Sequence, residues 1–131
     1  MMAKDCEHLE KFKHNKDFLN AVKNIKIEKG EKGFYDWEIT IDFYICVHII
    51  EYVLALKFGE NSDNHDMRFA LMHKHKDIFT KDLLDNYKML KDLSKESRYY
   101  GLSWSTTTKA FKAQTCLETV RGLLTHYIPK Q

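Results

Sequence analysis

The sequence FYDWEITIDFYICVHIIEYVLALKF, from Phe34 to Phe58, decides the fold. It contains no glycine or proline, so nothing in it interrupts a helix. Apolar residues occur on nearly every side of that helix, which is typical of a helix surrounded by others. Charged residues argue against a membrane span, because a charge at bilayer depth costs several kcal/mol. The stretch therefore predicts the central helix of a helical bundle, over residues 34–59.

Three polar side chains of this helix share one stripe. Tyr44, His48 and Glu51 are spaced i, i+4 and i+7, so they lie on the same side. An imidazole and a carboxylate on a side that faces a core need hydrogen-bonding partners there. Two interpretations follow. Either the histidine is satisfied within the core and the acid lies at the helix surface, or the stripe lines a polar cleft between helices.

The remaining chain predicts four further helices joined by short connections. Gly59 ends the central helix, Ser62 or Asn64 caps the next one, and Thr80 caps the one after that. The predicted helices cover residues 4–24, 34–59, 65–76, 80–100 and 107–128, with loops at 25–33 and 101–108. No segment predicts a strand. The sequence therefore predicts an all-α protein: an up-and-down four-helix bundle with an additional short helix, in one domain over residues 1–131.

Composition restricts the function only weakly. A formal net charge of +2 in 131 residues neither requires nor excludes a nucleic-acid partner. The three cysteines are far apart, which fits a reducing cytoplasm better than a disulfide scaffold. The charged N-terminal segment is unlike a signal peptide. We therefore expect a cytoplasmic protein with no membrane association.

An anion site is predicted at the start of the third helix. His65 and Arg68 are spaced i, i+3, so they project from one side of its first turn. A helix N-terminus already favours anions, and both side chains strengthen that tendency. Arg98 comes from the last turn of the fourth helix. It continues the stripe of Leu90 and Ser94 in four-residue steps, so it is expected on the side that faces the interior. A surface histidine and salt-bridging arginines are the structural alternative for these residues.

An ordered set of residues resembles the small prokaryotic proteins of the HEPN family, the higher-eukaryote and prokaryote nucleotide-binding domains. The set is Asp36-Trp37, Phe43-Tyr44, His48, Glu51, Asn64-His65-Asp66, Arg68, Tyr87, Leu90, Ser94 and Arg98-Tyr99. The resemblance covers about residues 7–127. It implies an all-α bundle, often a homodimer, with a cleft that handles RNA or nucleotides. Many family members are metal-independent ribonucleases, and some pair with a nucleotidyltransferase antitoxin.

The family's catalytic signature is an arginine followed, after four to six residues, by a histidine. No histidine follows Arg98 at that distance; the spacing occurs at Arg121 and His126. On a regular helix those two side chains diverge by roughly 140°, unless the helix ends before Pro129. The candidate catalytic residues are therefore His48, His65 and Arg98, with Arg121 and His126 as an alternative pair. The candidate phosphate- or substrate-binding residues are Tyr44, Glu51, Arg68 and Tyr99.

Two other classes of function compete with this hypothesis. A non-enzymatic interaction or oligomerisation module would pair its buried polar groups with one another and expose aromatic residues such as Tyr99, Tyr100 or Trp104. A metalloprotein is disfavoured, because His73 and His75 point apart on a helix and no ExxH motif projects from the central one. We therefore predict neither a metal nor another cofactor.

Overall fold

Five α-helices and one 3₁₀ turn make up the computed structural model, which describes residues 2–28, 33–100 and 105–130, with side chains for 5–25, 33–100 and 105–130. The elements are α1 (Met2–Glu28), α2 (Tyr35–Phe58), α3 (His65–Lys74), α4 (Lys81–Tyr100), α5 (Thr107–Leu124) and the 3₁₀ turn Thr125–Tyr127. None of the described residues is in a strand. The predicted all-α class, a helical bundle with a short extra helix, is confirmed.

Helix α2 is the centre of the bundle. It packs against α1, α4 and α5, and α4 packs against α5. Many of its apolar side chains, such as Ile39, Phe43 and Leu54, are inaccessible to solvent. By length and composition α2 is apolar enough to cross a membrane, but 83% of its apolar window is buried within the protein. Helix α2 is therefore a core helix rather than a lipid-facing one.

The helix ends follow the capping residues that the sequence predicts. Gly59 has a left-handed φ of 64°, and its N–H donates to the Ala55 carbonyl at 3.0 Å. The Asn64 side chain accepts the N–H of Met67 at 2.8 Å, which caps α3. Thr80 and Thr106 cap α4 and α5 in the same way. Of the two predicted caps for α3, Asn64 is the correct one.

Two helix ends differ from the prediction by four residues each, and the other ends agree within two residues. Helix α1 continues through Glu28, because neither glycine nor proline interrupts the chain before Gly30. Helix α5 ends at Leu124 rather than at residue 128. Pro129 cannot donate a helical hydrogen bond, and it forces Ile128 into an extended conformation with φ −98° and ψ 128°. Residues 29–32 and 101–104 of the two predicted loops, including Trp104, lie outside the described residues.

Candidate functional site

A buried ion pair joins α2 to α3. The Nε of Arg68 donates to Oε1 of Glu51 at 2.8 Å, and the two residues are 7% and 2% exposed. Burying either charge alone would cost several kcal/mol, so each residue requires the other. The structure therefore gives Glu51, a polar residue of the predicted stripe, a cationic partner from the short helix.

Three more side chains complete the hydrogen bonding of this pair. The Nη1 of Arg68 donates to the Tyr87 hydroxyl at 3.2 Å and to Nδ1 of His65 at 2.8 Å. The Ser62 hydroxyl donates to Oε1 of Glu51, and the Ser62 N–H lies 3.3 Å from Oε2. We call Glu51, Ser62, His65, Arg68 and Tyr87 the Arg68 cluster. It connects α2, α3 and α4 through side chains.

His65 is a partly buried member of the Arg68 cluster. Burial lowers its pKa, and the positive charges of Arg68, Lys91 and Arg98 lower it further. The imidazole is therefore neutral near pH 7. Because Nδ1 accepts from Arg68, the proton resides on Nε2, which leaves an N–H donor on the other side of the ring.

A small cleft lies next to His65. Its volume is about 80 Å³, and it is lined by His65, Asp66, Phe69, Tyr87, Lys88 and Lys91. Lys88 and Lys91 have no carboxylate oxygen within 4.0 Å among the described residues. The cleft therefore combines unpaired cations with the neutral imidazole, and a single carboxyl group, that of Asp66, lines it as well.

Arg98 is exposed, so the prediction that it faces the interior was wrong. Each four-residue step advances about 400°, so a stripe read from Leu90 has rotated about 80° by Arg98. Ser94 and Ser97 take the buried positions of that last part of α4. The Nη1 of Arg98 instead donates to the hydroxyl of Tyr44 at 3.0 Å, and Tyr44 is itself 39% exposed.

His48 does not join His65 and Arg98. Its Nδ1 lies 3.2 Å from Nδ1 of His8 on α1, with ring centroids 5.4 Å apart. Burial, reinforced by His8, lowers the pKa of His48 to about 4. No hydrogen bond or ring contact links His48 to either of the other two predicted catalytic residues. In the structure Arg98 is close enough to His65 to affect its pKa, whereas His48 contacts neither residue.

Two residues that contact the predicted site residues were given no binding or catalytic role from the sequence. Tyr87 was quoted only within the ordered set, although a buried tyrosine hydroxyl that needs a partner was the available signal. His8 had no distinguishing signal, because its contact with His48 spans two helices. Tyr99, predicted to bind substrate, is 83% exposed and its ring stacks edge-on to Tyr100 rather than against the Arg68 cluster.

The alternative pair occupies a different place. Because α5 ends at Leu124, Arg121 and His126 line the same surface hollow instead of diverging along a helix. Its volume is about 510 Å³, and Lys16 of α1 lines it as well. Within the part of the chain that the structure describes, no three histidine, cysteine or acidic side chains are placed to hold a metal ion.

Comparison with known proteins yields no relative. No protein-family model, no curated protein and no solved structure matches this chain. The resemblance to HEPN proteins therefore depends on the ordered residues quoted above, and the function is argued from the geometry of the site.

Proposed function

We propose that this protein is a HEPN-like domain that binds RNA or nucleotides through the surface around His65. We call Tyr44, His65, Lys88, Lys91 and Arg98 the His65 surface. The observation that carries the proposal is the group of cations around a neutral, half-buried imidazole. Among the described residues, Lys88, Lys91 and Arg98 have no carboxylate oxygen within 4.0 Å.

A phosphate group suits this surface for electrostatic reasons. Burial is the main reason that the pKa of His65 is lowered, and the charges of Lys91 and Arg98 lower it further, so the potential at this surface is positive. An anion bound there would be stabilised by that potential. Tyr44 adds an exposed ring, with Cζ of Arg98 5.9 Å from its centroid. Aromatic rings next to arginine are common stacking platforms for single-stranded bases.

The geometry supports binding better than cleavage. Metal-independent cleavage needs one group to remove the 2′-hydroxyl proton and another to protonate the leaving oxygen. His65 offers one imidazole, whose Nδ1 already accepts from Arg68, while His48 contacts His8 instead. We therefore favour a non-catalytic RNA-binding relative of the family over a metal-independent endoribonuclease.

The binding experiment uses fluorescence anisotropy of labelled single-stranded RNA in EDTA at several salt concentrations. For the double variant Lys91→Ala/Arg98→Ala we expect the affinity for RNA to fall at least tenfold. We also expect the slope of log affinity against log salt concentration to become shallower by about two, because each lost phosphate contact reduces it by about one. Lys76→Ala is the matched control, because Lys76 is an exposed cation in the turn after α3. Equal affinity of the double variant and the control would exclude the His65 surface.

The cleavage experiment incubates the same RNA with excess protein in EDTA and analyses the products on gels. The proposal expects intact RNA with the wild type. Cleavage that disappears in His65→Gln would make the protein a ribonuclease at this surface and overturn the non-catalytic version. Cleavage lost only in Arg121→Gln or His126→Gln would place the chemistry at the alternative pair and remove the support for His65.

The partners and location implied by the resemblance are parts of this proposal. A homodimer is tested by light scattering of the purified protein. A nucleotidyltransferase antitoxin is tested by co-purification from cells that express both proteins. A cytoplasmic location is tested by fractionation.

A second candidate function is an interaction module without chemistry. The observation that favours it is that the buried polar groups of Glu51, Arg68 and Tyr87 form hydrogen bonds with one another. Tyr99 and Tyr100 are exposed and would mark the partner surface. Light scattering of Tyr99→Ser distinguishes the two functions: a changed oligomeric mass with unchanged RNA affinity supports the module.

A further inference from the structure

The groove between α1 and α5 contains two hollows on the side of α2 that the Arg68 cluster does not use. Asp42 and Glu51 are nine residues apart, which on a helix is about half a turn beyond two full turns, so they face opposite ways. The larger hollow has a volume of about 510 Å³ and the smaller about 150 Å³. Lys16 and Arg121 line both hollows, so the two are adjacent.

Positive charge is concentrated where the two hollows meet. The Nζ of Lys16 and the Cζ of Arg121 lie 5.2 and 5.5 Å from the ring centroid of the same buried residue, Phe12. Burial lowers the pKa of Lys16, and the charge of Arg121 lowers it further. His126 and Lys130 add two basic side chains to the larger hollow. Like charges held this close favour an anion between them.

Three of the basic groups that line the larger hollow have no acidic partner among the residues described. Arg121, His126 and Lys130 have no carboxylate oxygen within 4.0 Å among the residues described. The C-terminus of α5 attracts cations, but its dipole corresponds to only about half an elementary charge. The hydroxyl of Thr125, which also lines the hollow, donates to the Arg121 carbonyl at 2.7 Å and reduces that attraction further.

The smaller hollow adds two carboxyl groups, those of Asp42 and Glu118, to the cations Lys16, Lys23 and Arg121 that also line it. Asp42 lines it and is 2% exposed, yet its Oδ1 accepts no hydrogen bond from any described residue. A buried carboxylate oxygen without a donor is uncommon and calls for a partner. Glu118, Asn20 and Gln114 line the same hollow, so its walls are rich in hydrogen-bonding groups. A ligand part that donates hydrogen bonds therefore fits this hollow.

We infer that the α1–α5 groove binds a small phosphomonoester that carries hydroxyl or amine groups. The phosphate lies between Lys16 and Arg121, and the hydrogen-bond donors of the remainder reach Asp42 in the smaller hollow. This site does not depend on the RNA-binding proposal, because the two use different residues on opposite faces of α2.

The test is isothermal titration of the whole protein with three probes: inorganic phosphate, glucosamine and glucosamine 6-phosphate. We expect glucosamine 6-phosphate to bind at least tenfold tighter than either of the other two, since it occupies both hollows. Arg121→Gln should weaken phosphate and glucosamine 6-phosphate about tenfold each, the usual effect of losing a charge-assisted hydrogen bond. Equal affinities for phosphate and glucosamine 6-phosphate, or no heat with either, overturn the inference.

Two further variants separate the parts of the site. Asp42→Asn keeps the side-chain shape and should reduce the affinity for glucosamine 6-phosphate towards that of phosphate, while phosphate binding stays unchanged. Lys112→Gln removes an exposed cation from another side of α5 and is the matched control. Lys91→Ala/Arg98→Ala should bind glucosamine 6-phosphate like the wild type. Loss of binding in either control would contradict a site confined to this groove.

Discussion

Two carboxyl groups of α2, those of Glu51 and Asp42, are buried to the same extent but differ in their hydrogen-bonding partners. Both residues are 2% exposed. Glu51 accepts hydrogen bonds from Arg68 and Ser62, whereas Oδ1 of Asp42 accepts none from the described residues. Burial raises the pKa of Asp42 to about 7, although Lys23 acts in the opposite direction. Equal burial therefore yields a structural ion pair on one face of α2 and a proton-binding group on the other.

The difference teaches that the partner, not the burial, decides what a buried acid does. A carboxylate with a bidentate or hydrogen-bonded cation stays charged and stabilises one arrangement of helices. A carboxyl group without such a partner takes up a proton or receives a ligand. The predictions below disturb one member of this comparison at a time.

The largest effect is expected from Arg68→Met. It removes the cation from buried Glu51 and the donor from Tyr87, so the free energy of unfolding should fall by about 5 kcal/mol. Urea denaturation measures this change. The double variant Glu51→Gln/Arg68→Met should lose less than the sum of the single changes, because the pair is coupled. A loss below about 1 kcal/mol for Arg68→Met would show that the ion pair does not hold α3 to the bundle.

The second effect is a pH dependence that comes from Asp42. Its pKa is about 7 in the folded protein and 3.8 as the ordinary value, so the folded state holds the proton more tightly. Its contribution to stability is present at low pH and is lost as the pH rises from about 4 through 7. The loss amounts to about 4 kcal/mol, at about 1.4 kcal/mol per pKa unit.

Denaturation of the wild type and Asp42→Asn between pH 4 and pH 8 measures this dependence. The difference between the two proteins should change in favour of Asp42→Asn as the pH rises, since the amide does not ionise. Lys23, Glu38 and Glu118 remain in both proteins, so their own titration largely cancels in the difference. A difference that is constant with pH would mean that Asp42 is ionised in the folded protein throughout this range.

The smallest effect is expected from Tyr87→Phe. The change removes one acceptor of Arg68 and keeps the ring in the core, so the free energy of unfolding should fall by about 1 kcal/mol. Thermal or urea unfolding detects a change of this size. If the loss approached that of Arg68→Met, the Tyr87 hydroxyl rather than Glu51 would be the main partner of the guanidinium group.

Local patterns explain which parts of the site were predictable. Tyr44, His48 and Glu51 lie at helical spacing on α2, and so do His65 and Arg68 on α3. Helix period is a property of neighbouring residues, so sequence is sufficient for it. The contact of His48 with His8 joins residues forty positions apart, and no local pattern encodes such a contact.

The predictions of side-chain orientation and of helix ends were least accurate far from the residues that defined each helix. Arg98 was assigned to the interior by extending a stripe over two more steps, and the accumulated rotation moved it to the surface. The end of α5 was placed too late, although Pro129 carried the signal. That shorter helix is what brings Arg121 and His126 to one hollow.

By itself, the sequence determined an all-α chain with an apolar central helix, the capping residues at helix ends and which closely spaced polar groups share one side of a helix. These properties depend on residues a few positions apart, whose relative geometry the helix dictates. Only the tertiary structure decided that Glu51 contacts Arg68, that Oδ1 of Asp42 has no donor among the described residues, and that Lys16 lies beside Arg121. Those contacts depend on how helices distant in sequence pack, because packing alone brings charges from separate elements within a few ångströms of each other.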